Sequence, residues 1–321
     1  MDSKRILVTG GAGFIGSHTT EALLARGDRV VVLDNFNDYY DPARKRKNVE
    51  EIRKLGGALE VVEGDIRDRA LVSSLVASGF DAIVHLAAMA GVRASVEDPW
   101  LYYDVNLTGT LNLLDAARVS GKPNFVFAGT SSAYGATTAI PFLETDPSDR
   151  PLAPYPSSKR GAELLGHSYH HLHGIDFTAL RFFTVYGPRG RPDMMPYKVL
   201  ESLRLGREFP LYNGGQMYRD WTFVSDIVAG VVRAADRRLG YEVVNIGRGE
   251  PVQLSEFVQS LETLAGRKAN LVPAPMMDAD VAYTFADIGK ARRLLGYDPG
   301  VSVAEGVRRL FAWYVEHVGA I

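Results

Sequence analysis

The sequence predicts an α/β protein built on a doubly wound parallel sheet, with a smaller C-terminal α/β domain. Three observations carry that expectation. Short β-branched, apolar runs alternate with amphipathic segments through the first half of the 321 residues. A glycine turn, ILVTGGAGFIG (Ile6–Gly16), joins the first run to the first amphipathic segment. Apolar residues make up 46% of the chain, enough to cover both faces of a sheet.

Strands are expected at Ile6–Thr9, Val30–Leu33, Leu59–Val62, Ala82–His85 and Phe125–Ala128. Helical patterns between them run over Gly13–Arg26, Pro42–Leu55, Asp68–Ala77 and Pro99–Val119. Alternation of this kind implies right-handed crossovers and parallel pairing. A polar, proline-rich loop spans Thr137–Pro154, a long helix Tyr155–His173 and a strand Phe177–Phe183. The rhythm then becomes irregular, with turns at Gly187–Pro192 and Asn213–Gly215. A helix and strand return at Val224–Arg238 and Val243–Gly247. Helices at Ser255–Leu264, Ile288–Leu295 and Val303–Val318 close the chain. The expected division is a dinucleotide domain over 1–180, to which 216–247 returns, and a substrate domain made of 181–215 and 248–321.

Composition excludes several chemistries. There is no cysteine, hence no disulfide, iron–sulfur cluster or thiolate zinc site. A net charge of −2, with acidic and basic residues mixed, gives no general attraction to nucleic acid or anionic membranes. The basic run Arg44–Lys47 reads as a solvated helix face, with a helper for cofactor phosphates as the second reading. No apolar run approaches the ~18 residues of a membrane span, and MDSKR leads straight into a strand without a signal-peptide pattern. A cytoplasmic protein is expected.

The motifs are more specific. Gly10, Gly11, Gly13 and Gly16 satisfy two dinucleotide spacings between a strand and a helix, where backbone can approach a pyrophosphate. Asp34 ends the second strand, placed to accept from a ribose diol and to repel a 2′-phosphate, which favours NAD. Asp65 follows the third strand, and His85-Leu86-Ala87-Ala88 closes the fourth with small residues. Asn106 is a poor helix former inside a helical pattern. Thr130, Ser131 and Ser132 stand at the end of the fifth strand, where side chains enter the ligand crevice. Tyr155 and Lys159 share one face of a helix, and an ammonium beside a phenol favours the phenolate. A base for an alcohol proton beside a hydride-accepting cofactor describes alcohol oxidation. His167 and His171 lie one turn apart but lack a completing carboxylate, so no metal site is expected.

In this order the motifs resemble the extended short-chain dehydrogenase/reductase family over most of the chain. DNFNDYYD (Asp34–Asp41), AGVR (Ala90–Arg93) and RFFTVYGPRGRPDM (Arg181–Met194) are most similar to its UDP-glucuronate 4-epimerases. Met89 replaces a frequent glutamine, and PMMDADV (Pro275–Val281) departs from the family's stretch. The resemblance implies a Rossmann-type domain, bound NAD, a UDP-sugar substrate and a homodimer formed through helices 99–119 and 155–173. It implies Thr130, Tyr155 and Lys159 as catalytic residues. It places the cofactor against Gly10, Gly13, Phe14, Ile15 and Gly16, against Asp34, Asn35, Asp65 and Ile66, and against Leu86, Ala87, Ala88, Asn106, Phe182 and the Tyr155–Lys159 pair. Arg93, Ser131, Ser132, Thr184, Arg191 and Arg219 are the implied substrate contacts. The implied reaction is reversible C4 epimerisation of UDP-glucuronate through a 4-keto sugar. Epimerisation of UDP-glucose or UDP-N-acetylglucosamine, decarboxylation of UDP-glucuronate and a non-catalytic NAD sensor are the alternatives.

Overall fold

The computed structural model describes residues 3–276 and 280–321. Met277, Asp278 and Ala279, within the divergent Pro275–Val281 stretch, and Met1 and Asp2 of MDSKR lie outside the described residues. β1 (Arg5–Thr9) runs into the glycine turn and α1 (Phe14–Ala25) leaves it. β2 (Arg29–Asp34), α2 (Pro42–Lys54), β3 (Ala58–Glu63), α3 (Arg69–Ala77) and β4 (Ala82–His85) continue the alternation. The caps decide where these helices start. Asp41 accepts from the Ala43 N–H with Pro42 in the first turn, and Asp68 accepts from the N–H groups of Ala70 and Leu71.

The short α4 (Ala94–Glu97) precedes the segment expected as one helix over 99–119. That segment is α5 (Pro99–Tyr103), a π turn (Asp104–Thr108) and α6 (Gly109–Val119). The wide turn falls at Asn106. β5 (Asn124–Thr130) ends in a 3-10 turn over Ser131–Tyr134. α7 (Pro154–His173) starts on a proline and stops at Gly174, which is left-handed at φ +69°. β6 (Phe177–Phe182) completes the expected first half.

The stretch read as irregular holds β7 (Thr184–Tyr186), α8 (Met195–Leu205), β8 (Phe209–Tyr212) and β9 (Tyr218–Phe223). α9 (Val224–Ala235), β10 (Tyr241–Ile246), β11 (Pro251–Gln253), α10 (Leu254–Ala265), β12 (Leu271–Ala274), α11 (Gly289–Leu295) and α12 (Val303–His317) follow.

Seven strands pair in the order β10–β6–β5–β4–β1–β2–β3, all parallel. Period two explains their apolar runs. Ile6 and Val8 pack into one core with Leu23, Leu24 and Val231, while Leu7 packs into the other with Ile83, Leu113 and Phe125. Each such side chain contributes roughly 1.5–3 kcal/mol by leaving water. Of the segment expected to return, α9 packs on α1 and β10 joins β6, whereas β9 lies between β7 and β11 in a three-stranded sheet. β8 and β12 form a separate parallel pair. No helix among the described residues is long and apolar enough to cross a membrane.

Candidate active site

Strand order reverses between β1 and β4, and the crevice above their carboxyl ends is where an open parallel sheet takes a ligand. A cavity of about 420 Å³ occupies that place. Every cofactor residue expected from the sequence except Asn106 lines it: Gly10, Gly13, Phe14, Ile15, Gly16, Asp34, Asn35, Asp65, Ile66, Leu86, Ala87, Ala88, Tyr155, Lys159 and Phe182. Thr130, Ser131, Ser132, Thr184 and Arg191 line the same cavity.

The glycines form a cradle that side chains would fill. A Cβ at Gly10 (φ +70°) would stand 2.7 Å from the Ala87 nitrogen, and one at Gly16 would run into the Gly10 carbonyl oxygen. Gly13 caps α1 without a side-chain hydrogen bond, so the first-turn N–H groups open toward the crevice. This donor set fits a pyrophosphate. Asp34 accepts from the N–H groups of Ala12 (3.1 Å) and Phe36 (2.9 Å). Burial nevertheless pushes its carboxyl above the usual range. Asp65 is gripped by Arg67 at 2.8 and 3.0 Å and by the Asn35 amide at 2.9 Å, which pulls it down to about 2.

One basic residue departs from the expected solvated face. Lys45 is buried and lines the cavity, donating to the Asn37 carbonyl and side chain at 3.0 and 2.7 Å. Arg46 and Lys47 stay exposed on the other side of the helix. Helical periodicity, not charge count, separates them.

At the reacting end, α7 presents Tyr155 and Lys159 while β5 presents Thr130. Lys159 is 2% exposed, with Nζ 4.1 Å above the Phe127 ring. Burial lowers it to about 7. The expected depression of the tyrosine by this lysine is not what the geometry gives. Burial pushes the Tyr155 phenol up, and the opposing influences are the Thr130 hydroxyl hydrogen bond and the Arg191 guanidinium. The reason is desolvation, which penalises charge on both members of the pair in one dry wall.

Asn106 stands behind the cavity with its amide fully used. Its oxygen accepts from the Met89 N–H at 2.9 Å, and its nitrogen donates to the Met89 carbonyl and the Ser158 hydroxyl at 3.0 Å each. It therefore fixes the wall of the crevice from outside. His85, which the sequence marked only as part of a small-residue run, is completely buried beside it. Thr110 donates to the Asn106 carbonyl at 2.6 Å, so it must accept from His85 Nε2 at 3.0 Å. Nδ1 then accepts from the Thr9 hydroxyl at 2.7 Å, and Thr9 accepts from the Ala87 N–H at 3.2 Å. Burial and the nearby Lys159 lower His85 well below its ordinary value, which keeps it neutral in this chain.

A second cavity of about 460 Å³ adjoins the first, sharing Tyr39, Thr184 and Arg191 with it. It holds the two remaining expected residues, Arg93 and Arg219, with Lys198. Arg93 pairs with Asp280 at 2.6 Å and stacks over Tyr212 at 4.0 Å. Arg191 binds Asp193 through two 3.0 Å hydrogen bonds, and the Tyr39 hydroxyl donates to Asp193 at 3.3 Å. Two residues earlier, Arg189 holds φ +60° while bonding Glu21 of α1 at 2.8 Å and Glu51 of α2 at 2.9 Å. His18 of α1 reaches the Pro188 carbonyl at 3.0 Å. The loop carrying Arg191 is thus tied to the helix that leaves the glycine turn. On α7, His167 packs edge-on against Tyr241. No group of three or more metal-ligating side chains occurs among the described residues.

The chain matches the NAD dependent epimerase/dehydratase family over residues 6–247. An uncharacterized protein of Methanocaldococcus jannaschii is 43% identical over 99% of this chain and 98% of its own. A UDP-glucuronate 4-epimerase of Thermodesulfobacterium geofontis is 42% identical over 98% and 97%. The UDP-glucuronic acid 4-epimerase from Bacillus cereus, solved with UDP-glucuronic acid and NAD, superposes with a TM-score of 0.90 at 33% identity, covering 97% and 99%.

Proposed function

The chain belongs to the NAD dependent epimerase/dehydratase family, and from that premise we propose that it interconverts UDP-glucuronate and UDP-galacturonate by inverting C4 through a transient 4-keto sugar. One observation carries the reading. A phenol, a lysine and a threonine hydroxyl line the same cavity as the glycine cradle, and an arginine-rich cavity opens from it. NAD, when bound, supplies a hydride acceptor that later returns the hydride, so the reaction is redox-neutral.

The residues that would hold NAD are those of the cradle, Asp34 and Asn35, Asp65 and Ile66, Leu86 to Ala88, Phe182 and Lys159. In its phenolate form Tyr155 takes the 4-OH proton as the alcohol becomes a ketone and, now protonated, gives it back when hydride returns to the other face. Thr130 hydrogen-bonds the same oxygen. Ser131, Ser132 and Thr184 offer hydroxyl donors to the C5 carboxylate, and Arg191 offers a charged one. Arg93 and Arg219 receive the diphosphate. Rotation about that linkage turns the opposite sugar face toward the hydride. Among the described lining residues of the first cavity, the only carboxylates are Asp34 and Asp65. Neither belongs to the catalytic cluster, which disfavours a second acid–base step.

We also divide the chain as read from its sequence, into a dinucleotide domain over 1–180 to which 216–247 returns and a substrate domain of 181–215 and 248–321, with substrate contacts coming from both. A homodimer is supported by apolar side chains left outward on neighbouring helices: Trp100 of α5 (85% exposed), Leu164 (53%) and Leu172 (69%) of α7. The cysteine-free composition supports a cytoplasmic location. The deciding experiment incubates purified protein with UDP-glucuronate and no added NAD, with products identified by NMR. A mixture with UDP-galacturonate is expected. A UDP-pentose, or no turnover with NAD supplied, overturns the reading.

A further inference from the structure

Beneath the reacting residues lies a charged cluster that no step of the reaction uses. Glu163 sits four residues beyond Lys159 and eight beyond Tyr155, on the same face of α7. It is completely buried. Its oxygens accept from Arg181 of β6 at 3.0 and 2.8 Å, a two-bond clasp, and from Arg160 at 3.0 Å. Arg181 is 1% exposed, donates to the Ser148 hydroxyl at 2.8 Å and stacks over Tyr134 at 4.6 Å. Tyr134 in turn bonds Asn245 of β10 at 2.7 Å.

The clasp is seated on β6, directly beside the strand that ends in Thr130. Arg181 is the register partner of Gly129, and Phe182 that of Thr130. A Cβ at Gly129 would stand 3.2 Å from a Glu163 oxygen and 3.3 Å from the Arg181 side chain. A side chain here would crowd both members of the clasp, which would have to give by a few tenths of an ångström. The pair therefore ties α7, which carries Tyr155 and Lys159, to β6, the strand paired along its length with the β5 strand that ends in Thr130.

We propose that Glu163 is a positioning residue for the epimerisation: clasped by Arg181 beneath Gly129, it fixes how α7 presents Tyr155 to Thr130 and supplies an anion one helical turn from Lys159. The inference rests on the reaction proposed above. The other groups around Lys159 offer it no negative charge. Phe127 lies under its nitrogen, His85 of β4 is neutral, and Tyr155 is protonated at rest. Glu163 is the charge that opposes the loss of the lysine's proton in this dry wall.

The test compares wild type with Glu163→Gln and with the double variant Glu163→Gln/Arg181→Met. The double variant removes the anion without stranding a buried cation, so it folds even where the single variant does not. Arg160, at the helix surface, keeps its water. Expected for the double variant are wild-type circular dichroism, kcat lower by about 10²-fold from misplacement of the reacting groups and KM within about threefold. The alkaline limb of kcat moves to lower pH, because an ammonium without its anion loses its proton sooner. A folded double variant with wild-type kcat and an unmoved limb overturns the proposal. So does one whose only change is thermal stability. Lys159 Nζ titration by NMR, without substrate, separates this from failure of the functional reading. If wild type turns over no sugar nucleotide, a lower Lys159 pKa in the double variant still supports the anion's role, and an unchanged one overturns it.

Discussion

Tyr155 and Lys159 leave water at the same wall of the crevice, and burial works against charge on each. The phenol is held on its protonated side, and Lys159 lies near the edge of losing its own proton. To act as the base this tyrosine must first give up its own proton; positive charge around it favours that phenolate, and Arg191 is the side chain that supplies some. Tyr155→Phe removes the acceptor and nothing else of similar size. Its expected kcat is lower by ~10²–10⁴-fold, with unchanged circular dichroism and unchanged NAD content after acid release. Turnover near wild type would take the proton-transfer role away from this residue. The i,i+4 pair was legible because helix geometry is local. Asn106 was legible only as a misfit in its helix. Its partners lie 17 and 52 residues away, so no local pattern tells a crevice wall from a cofactor contact. His85 was hidden for the same reason, since both its threonine partners come from other elements.

Elements with a strong period were readable, and those without one were not. The glycine turn, four of the five early strands and their helices follow from buried runs and caps, while β3, at the edge of the sheet, has no buried residue. β7, β8, β11 and β12 have three or four residues each and are mostly half-buried, too short for alternation to speak. Their pairing is also distant, as Thr184 of β7 meets Trp221 of β9. The loop between β7 and α8 gains its shape from similar long-range ties. Arg189 holds a left-handed backbone that a non-glycine residue adopts at a cost of about 1–3 kcal/mol, and two carboxylates keep it there. Cutting the ties frees the loop that offers Arg191. Arg189→Ala is expected to raise KM for UDP-glucuronate about tenfold, the equivalent of ~1.4 kcal/mol, with smaller change in kcat and none in NAD content. Arg189→Gly relieves the backbone but leaves the carboxylates unpaired, so its KM rises as well. A wild-type KM for Arg189→Gly would show that conformation alone, not the tether, sets the loop.

Across the whole molecule, the large parallel sheet was legible in the sequence, and the passage of the chain between the sheets only partly. The expected return to the large sheet is made by α9 and β10, while β9 stays with the small sheet because its partners, β7 and β11, flank it there. The apolar side chains on α5 and α7 are a further property of the whole. Trp100→Glu with Leu164→Glu places two charges on that face and, under the proposed dimer, is expected to give monomer in analytical ultracentrifugation where wild type gives dimer. Full retention of the dimer would move the contact elsewhere on the surface. The place of β10 has one more consequence. It is the last strand of the large sheet, it ends at Ile246, and it pairs with β6, which ends at Phe182. Until the ribosome has added residues 183–246, the growing chain carries an unzipped hydrogen-bonding border on β6. Completion of the sheet must wait until Ile246 has emerged. A nascent molecule stalled before that point is the form most exposed to strand capture by its neighbours.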